Sequence, residues 1–173
     1  MPSWSPAVLG LAAAGGTGKT ILLARLIPLL QRQGVRLAVL KHSHHDCEID
    51  RPGKDSHVLH QAGAIQTLIA SSRRTVLLSR HAAEPPLEES LRRLAGTVDL
   101  VLVEGYKGAA IPKFELHRPR LGHPLQCFTD PHIIAVLSDE ALPDPLPVPW
   151  LDLNDPPAVA AFVTAWLRSA PSE

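Results

Sequence analysis

The run Val8-Leu9-Gly10-Leu11-Ala12-Ala13-Ala14-Gly15-Gly16-Thr17-Gly18-Lys19-Thr20-Ile21 decides how the rest of the chain is read. Val8 to Leu11 is a short apolar run, a stretch of small residues and glycines follows, and Thr20 to Gln33 has the apolar spacing of a helix before Gly34. Strand, glycine loop and helix in that order make a cradle for phosphate. Glycines let consecutive backbone N–H groups converge without Cβ atoms in the way, and the helix start adds unpaired N–H groups and its positive dipole end. Lys19 is placed to reach the terminal phosphates, and the Thr20 hydroxyl to bind Mg²⁺. Gly15, Gly16, Thr17, Gly18, Lys19, Thr20 and Ile21 are therefore the expected contacts of a nucleoside triphosphate. The full pattern asks for glycine where this chain has Ala13, a departure that is tolerable if position 13 ends the strand with negative φ.

Outward from the loop, Val35 to Leu40 reads as a second buried strand, completing a βαβ unit. Pro28 lies inside the intervening helix and is expected to bend it or shorten it near Ile27. Lys41 to Lys54 is a polar loop, and Asp55 or Ser56 is a candidate cap for a short helix ending at Gly63. Ile65 to Ala70 and Thr75 to Leu78 are strand candidates around an exposed Arg73-Arg74 turn, and Leu87, Leu91 and Leu94 mark one face of a helix. Leu100 to Val103 and His132 to Leu137 read as buried strands, and the alternating Lys113 to Leu116 as an edge strand with one buried face. Residues 142–149 hold four of the seventeen prolines and form an extended surface connection, and a closing helix runs over about 155–169. The expectation is one doubly wound α/β P-loop NTPase-like domain over 1–173, a mostly parallel sheet with helices on both faces.

Composition agrees and removes other classes. Hydrophobic residues are 45% of the chain and aromatics only 4%, so the core is aliphatic, as parallel strands under helices require. Seventeen basic and seventeen acidic side chains cancel, leaving no field to attract nucleic acid. Cys47 and Cys127 are too few and too far apart for a disulfide framework or a zinc site. Arg25 breaks the Ile21 to Leu30 segment, and no charged leader with a long apolar run opens the chain. No membrane segment is expected, and cytoplasm is the default compartment.

A metal-assisted nucleotide site also needs a carboxylate at the carboxyl end of a neighbouring strand. Glu104, directly after the aliphatic Leu100 to Val103, is the best candidate for the metal and for placing an attacking water; Asp99 enters the strand from the other end and reads as a surface partner. Lys41-His42-Ser43-His44-His45-Asp46 follows the second strand and so lies at the same rim. Its His, Cys and acidic spacing matches no recognised zinc pattern, but Asp46 suits a metal-bound or attacking water. Catalytic candidates are Lys19, Asp46 and Glu104, and metal candidates Thr20, Asp46 and Glu104. Lys54, after a Pro52-Gly53 turn, is a further phosphate-binding candidate. All five lysines, Lys19, Lys41, Lys54, Lys107 and Lys113, fall in loops or at strand ends, although the chain has twelve arginines.

Leu11 to Thr20, Lys41 to Asp46, Asp50-Arg-Pro-Gly-Lys-Asp-Ser56, Gly63-Ala-Ile-Gln-Thr67, Val103-Glu-Gly-Tyr-Lys107 and Leu151-Asp-Leu-Asn-Asp155 together resemble the molybdopterin-guanine dinucleotide biosynthesis adaptor proteins, MobB. These matches run in order from about Val8 to Trp166. The resemblance implies a homodimeric GTP-binding protein with weak Mg²⁺-dependent GTPase activity. It also implies partnership with a MobA-like nucleotidyltransferase that joins GMP to the molybdenum cofactor, and so contact with molybdopterin or the cofactor itself. It carries Lys19 and Thr20 onto the phosphate loop, Glu104 onto the acidic strand end, and Asp46 with His42, His44 and His45 onto a His-Asp loop. Guanine selection rests on the resemblance, since no Asn-Lys-x-Asp string occurs; Ser138-Asp139 after the late buried strand is the candidate reader. Two alternatives share the loop: an adaptor that binds nucleotide or pterin without turnover, and a small-molecule kinase.

Overall fold

The computed structural model describes residues 6–43, 51–94, 96–143 and 145–169. They fall into two compact units, one built from residues 1–42 with 87–173 and the other from residues 43–86.

The first unit contains a six-stranded sheet of β1 (Ala7–Ala13), β2 (Leu37–Lys41), β5 (Leu100–Glu104), β6 (Lys113–His117), β7 (Ile133–Ser138) and β8 (Trp150–Asp152). Their order is β2-β5-β1-β6-β7-β8, and every pairing is parallel. A parallel sheet must be covered on both faces, and the alternation of the strands shows how. Leu100 and Leu102 of β5 join Leu9 and Leu11 of β1 in a core beneath α1 (Lys19–Arg32) and α4 (Pro156–Ser169). Val101 and Val103 point the other way, onto Leu87 and Leu91 of α3 (Leu87–Leu94). Beyond α3 the second face is closed by the proline-rich connection, whose Leu142, Leu146 and Val148 pack against Ile133 and Val136.

Two expectations change here. Pro28 does not shorten α1, which continues to Arg32. An internal proline costs about 3 kcal/mol, whereas Leu22, Leu23, Leu26 and Leu30 are all buried against the sheet, each contributing about 2 kcal/mol; burial wins. Nor is β6 an edge strand: it lies between β1 and β7, with all five residues buried. The alternation of charge is real but its cause is different. Lys113, 2% exposed, donates to the carbonyls of Lys107 and Ala109, both at 3.0 Å, and pairs with Asp130 at 2.6 Å. Glu115, 1% exposed, accepts from the backbone N–H groups of Gln126 and Cys127. These charges are paired in the interior, fastening the loops on either side of the strand.

The second unit holds α2 (Asp55–Gln61) and an antiparallel hairpin of β3 (Gln66–Ala70) and β4 (Thr75–Ser79). Lys54, rather than Asp55 or Ser56, occupies the N-cap position, its carbonyl accepting from the Val58 N–H. Arg73 and Arg74 do form the exposed turn, closed by Ser71 bonding to Arg74.

Candidate functional site

β1 ends at Ala13 and α1 begins at Lys19, so the residues between must turn back over the helix start. Gly18 makes that turn possible. It sits at the N-cap with φ +95°, a conformation costly for any side chain, and a Cβ there would lie 3.4 Å from the Arg118 guanidinium. Thr17 is buried and its hydroxyl donates to the Ala14 carbonyl at 2.9 Å, while Lys19 Nζ donates to the same oxygen at 3.2 Å. Ala13 lies inside β1, and Tyr106 is the only non-glycine among the described residues with positive φ; an alanine at position 13 strains nothing.

The strand register brings a second set of groups to this rim. Glu104 pairs with Leu11 on one side and Lys41 on the other, so a carboxylate and an ammonium leave neighbouring strand ends beside the loop. Gly16, Gly18, Lys19, Thr20, Ile21 and Glu104 line an open depression of about 340 Å³. Partial burial holds the Lys19 ammonium below the ordinary lysine value; Glu104 opposes that shift, and Lys107 and Lys41 add to it. Lys19 and Glu104 thus share the depression, Lys41 leaves the neighbouring strand end, and Lys107 is near enough to act on the Lys19 charge. That donor set fits a magnesium-bound polyphosphate: cations for the phosphate oxygens, Thr20 and Glu104 for the metal. Among the described residues no group of three His, Cys, Asp or Glu side chains is placed to hold a metal ion.

The turn after Glu104 is built to close tolerance. Gly105 has φ +104°, and a Cβ on it would come within 2.6 Å of His42 Cβ. The His42 backbone N–H donates to the Glu104 carbonyl at 2.8 Å, and its ring lies 4.5 Å from that of Tyr106. His42 is thereby packed at the rim. His44, His45 and Asp46 lie outside the described residues, and Lys54 belongs to the second unit.

On the other side of the loop, β6 delivers Arg118. Its Nε donates to the Thr17 carbonyl at 2.9 Å and its guanidinium pairs with Asp139, whose Oδ1 is buried without a partner among the described residues. Ser138 is fully buried, its hydroxyl accepting from the Glu140 N–H at 3.3 Å. Asp139 therefore reaches the loop through Arg118. Beside them lies a second depression, of about 260 Å³, sharing Ala14 and Thr17 with the glycine loop.

A family model described as "Molybdopterin guanine dinucleotide synthesis protein B", MobB, matches residues 8–139, from the first strand through the loop, the Glu104 turn and Arg118 to Asp139. The chain belongs to the MobB family. Among its MobB relatives, the molybdopterin-guanine dinucleotide biosynthesis adapter protein of Escherichia coli K12 is 44% identical over 169 residues, 93% of each chain. That of Haemophilus influenzae is 37% identical, covering 93% of this chain and 89% of its own. The crystal structure of a MobB homolog from Bacillus stearothermophilus superposes with a TM-score of 0.67 at 26% identity, over 94% of this chain and 98% of that one. No helix among the described residues is long and apolar enough to cross a membrane.

Of the residues singled out in the sequence, Gly16, Gly18, Lys19, Thr20, Ile21 and Glu104 come together in one depression. The nearness of Lys41 to Glu104, of Lys107 to Lys19 and of Arg118 to Thr17 comes from the structure. For the two lysines a signal existed, since every lysine falls in a loop or at a strand end; Arg118 meets Thr17 across 101 residues of chain, and nothing local announces it.

Proposed function

We propose that this MobB-family chain is an adaptor of molybdenum cofactor biosynthesis that binds GTP with Mg²⁺ in the loop Gly15 to Ile21 and hydrolyses it slowly. The observation that carries the reading is the meeting of Lys19, Thr20 and Glu104 in one depression at a glycine loop and helix start, with Lys41 on the strand end paired to Glu104. Lys19 neutralises the terminal phosphates, and the loop N–H groups hold the middle of the triphosphate. Thr20 and Glu104 would hold Mg²⁺, which when bound offsets the negative charge of the phosphate oxygens. Glu104, with Asp46 as the candidate from the histidine loop, orients the attacking water. Gly15, Gly16 and Thr20 are exposed, so water keeps the effective dielectric high and each charge contact weak. Slow turnover follows, and the adaptor role takes precedence over catalysis.

As an adaptor the chain would act as a homodimer beside a MobA-like nucleotidyltransferase and meet molybdopterin or the cofactor there. The apolar surface of the second unit, where Leu59, Ile65 and Leu68 are more than 60% exposed, supports a second copy as its cover. Isothermal titration with GTP and ATP, with and without Mg²⁺, and a count of phosphate released from labelled GTP test the reading. Mg²⁺-dependent GTP binding with slow release of free phosphate is expected. Absence of triphosphate binding, or efficient transfer of the phosphate to a metabolite, overturns it.

A further inference from the structure

We infer that the depression beyond Thr17, bounded by the end of β6 and residues 121–126, takes the planar heterocycle of the nucleotide whose phosphates lie in the loop. The inference rests on the nucleotide reading above and adds where the nucleoside end goes. Two depressions flank the loop. The one toward β5 carries Lys19, Thr20 and Glu104, which suit the terminal phosphates and their metal. A triphosphate anchored there by its far end and held along the loop emerges on the opposite flank, past Thr17. The second depression begins there, sharing Ala14 and Thr17 with the loop.

Its lining suits a flat, partly polar ring. Leu121 and Pro124 provide apolar surface, His117 and Gln126 offer imidazole and amide groups to a ring edge, and Lys107 and Arg118 add positive charge to the lining. Its walls are held in place independently of any ligand. Both oxygens of the buried Glu115 carboxylate accept from the N–H groups of Gln126 and Cys127, at 2.8 and 2.9 Å, and Arg118 fastens the strand end to Thr17. Asp139 is engaged by Arg118 and its remaining oxygen is closed off from solvent, so the edge is read by His117 and Gln126.

Isothermal titration of the full chain with Mg-GTP and with Mg-tripolyphosphate separates base from phosphate. Leu121→Trp, which fills the depression, and Gln126→Ala, which removes a polar edge group, should each weaken GTP about tenfold or more and leave tripolyphosphate affinity unchanged. Lys19→Ala should lose both ligands. Thermal melts of each variant identify any that fails to fold, in which case the other carries the test. Equal weakening of the two ligands in a folded pocket variant, or no weakening of GTP, overturns the base pocket while sparing the phosphate loop. Retention of both ligands by Lys19→Ala overturns the phosphate loop, and the pocket with it.

Discussion

The guanidinium of Arg118 holds the Thr17 carbonyl at 2.9 Å while pairing with Asp139, so the ends of β6 and β7 are tied to the crown of the phosphate loop. A loop whose N–H groups must converge on an anion works best when its shape is fixed before the anion arrives. Arg118→Ala should therefore weaken GTP about tenfold. It should also destabilise the chain by about 3 kcal/mol, since it strands a mostly buried carboxylate. The double substitution Arg118→Met with Asp139→Asn should recover most of the stability but not the affinity, by urea melts and titration. If affinity recovered with stability, Arg118 would serve the fold alone.

Lys19 should make nucleotide binding depend on pH. Burial, reinforced by Lys107 and Lys41, lowers its folded value below 10.5. As pH rises the folded protein therefore releases this proton before the unfolded chain does, and stability rises in the window between the two values, because there the unfolded chain holds the proton that the fold has given up; the lysine's lowered value is a cost that is fully present below the folded value and relieved as pH climbs through the window. Phosphate oxygens favour the charged form, so in the same window GTP binding takes up a proton and affinity falls with rising pH. Titrations just below pH 10.5 in two buffers of different ionisation heat measure that uptake. Binding heats that do not depend on the buffer would show that Lys19 does not face phosphate.

Lys113 and Asp130 predict the acid limb of stability. Burial pushes the Asp130 carboxyl up, but hydrogen bonds from Lys113 and His132 outweigh it and hold the value below 3.8. A depressed carboxylate stabilises above the unfolded value and loses that contribution as pH falls through the folded one. Lys113→Met should cost about 3 kcal/mol at neutral pH, and the difference from wild type should shrink as pH falls below 3.8. A gap constant with pH would mean the loss is one of packing rather than of the ion pair.

The same strand shows what a sequence conceals. Elements made by local periodicity, such as α1 and β5, were legible. So was the rim position of Glu104, because a charge directly after an aliphatic run must surface where the buried strand does. Lys113 and Glu115 misled because alternation reports which residues are polar, not whether their charges meet partners inside the protein. Those partners, Asp130 and the N–H groups of Gln126 and Cys127, lie beyond any helical or strand period. Pro28 misled in the opposite sense: its local cost is real, but four buried leucines around it belong to the tertiary sum. Arg118 was invisible because its contacts exist only once β6 stands beside β1.

The hairpin of the second unit yields the final prediction. Leu68 and Leu77 are direct cross-strand partners on one face, 62% and 49% exposed, and an isolated two-stranded sheet is marginal in water. If two copies cover each other here, four leucines at about 2 kcal/mol each contribute about 8 kcal/mol. That is comparable to the 4–15 kcal/mol or so lost in translational and rotational freedom on association. The leucines alone therefore give at best a weak dimer, and the exposed Leu59 and Ile65 must contribute. A balance this close is tipped by one charge. Leu68→Glu should convert a sedimenting dimer to monomer, and the wild type, unlike the variant, should melt at lower temperature on dilution. A Leu68→Glu protein that stays dimeric would place the interface elsewhere.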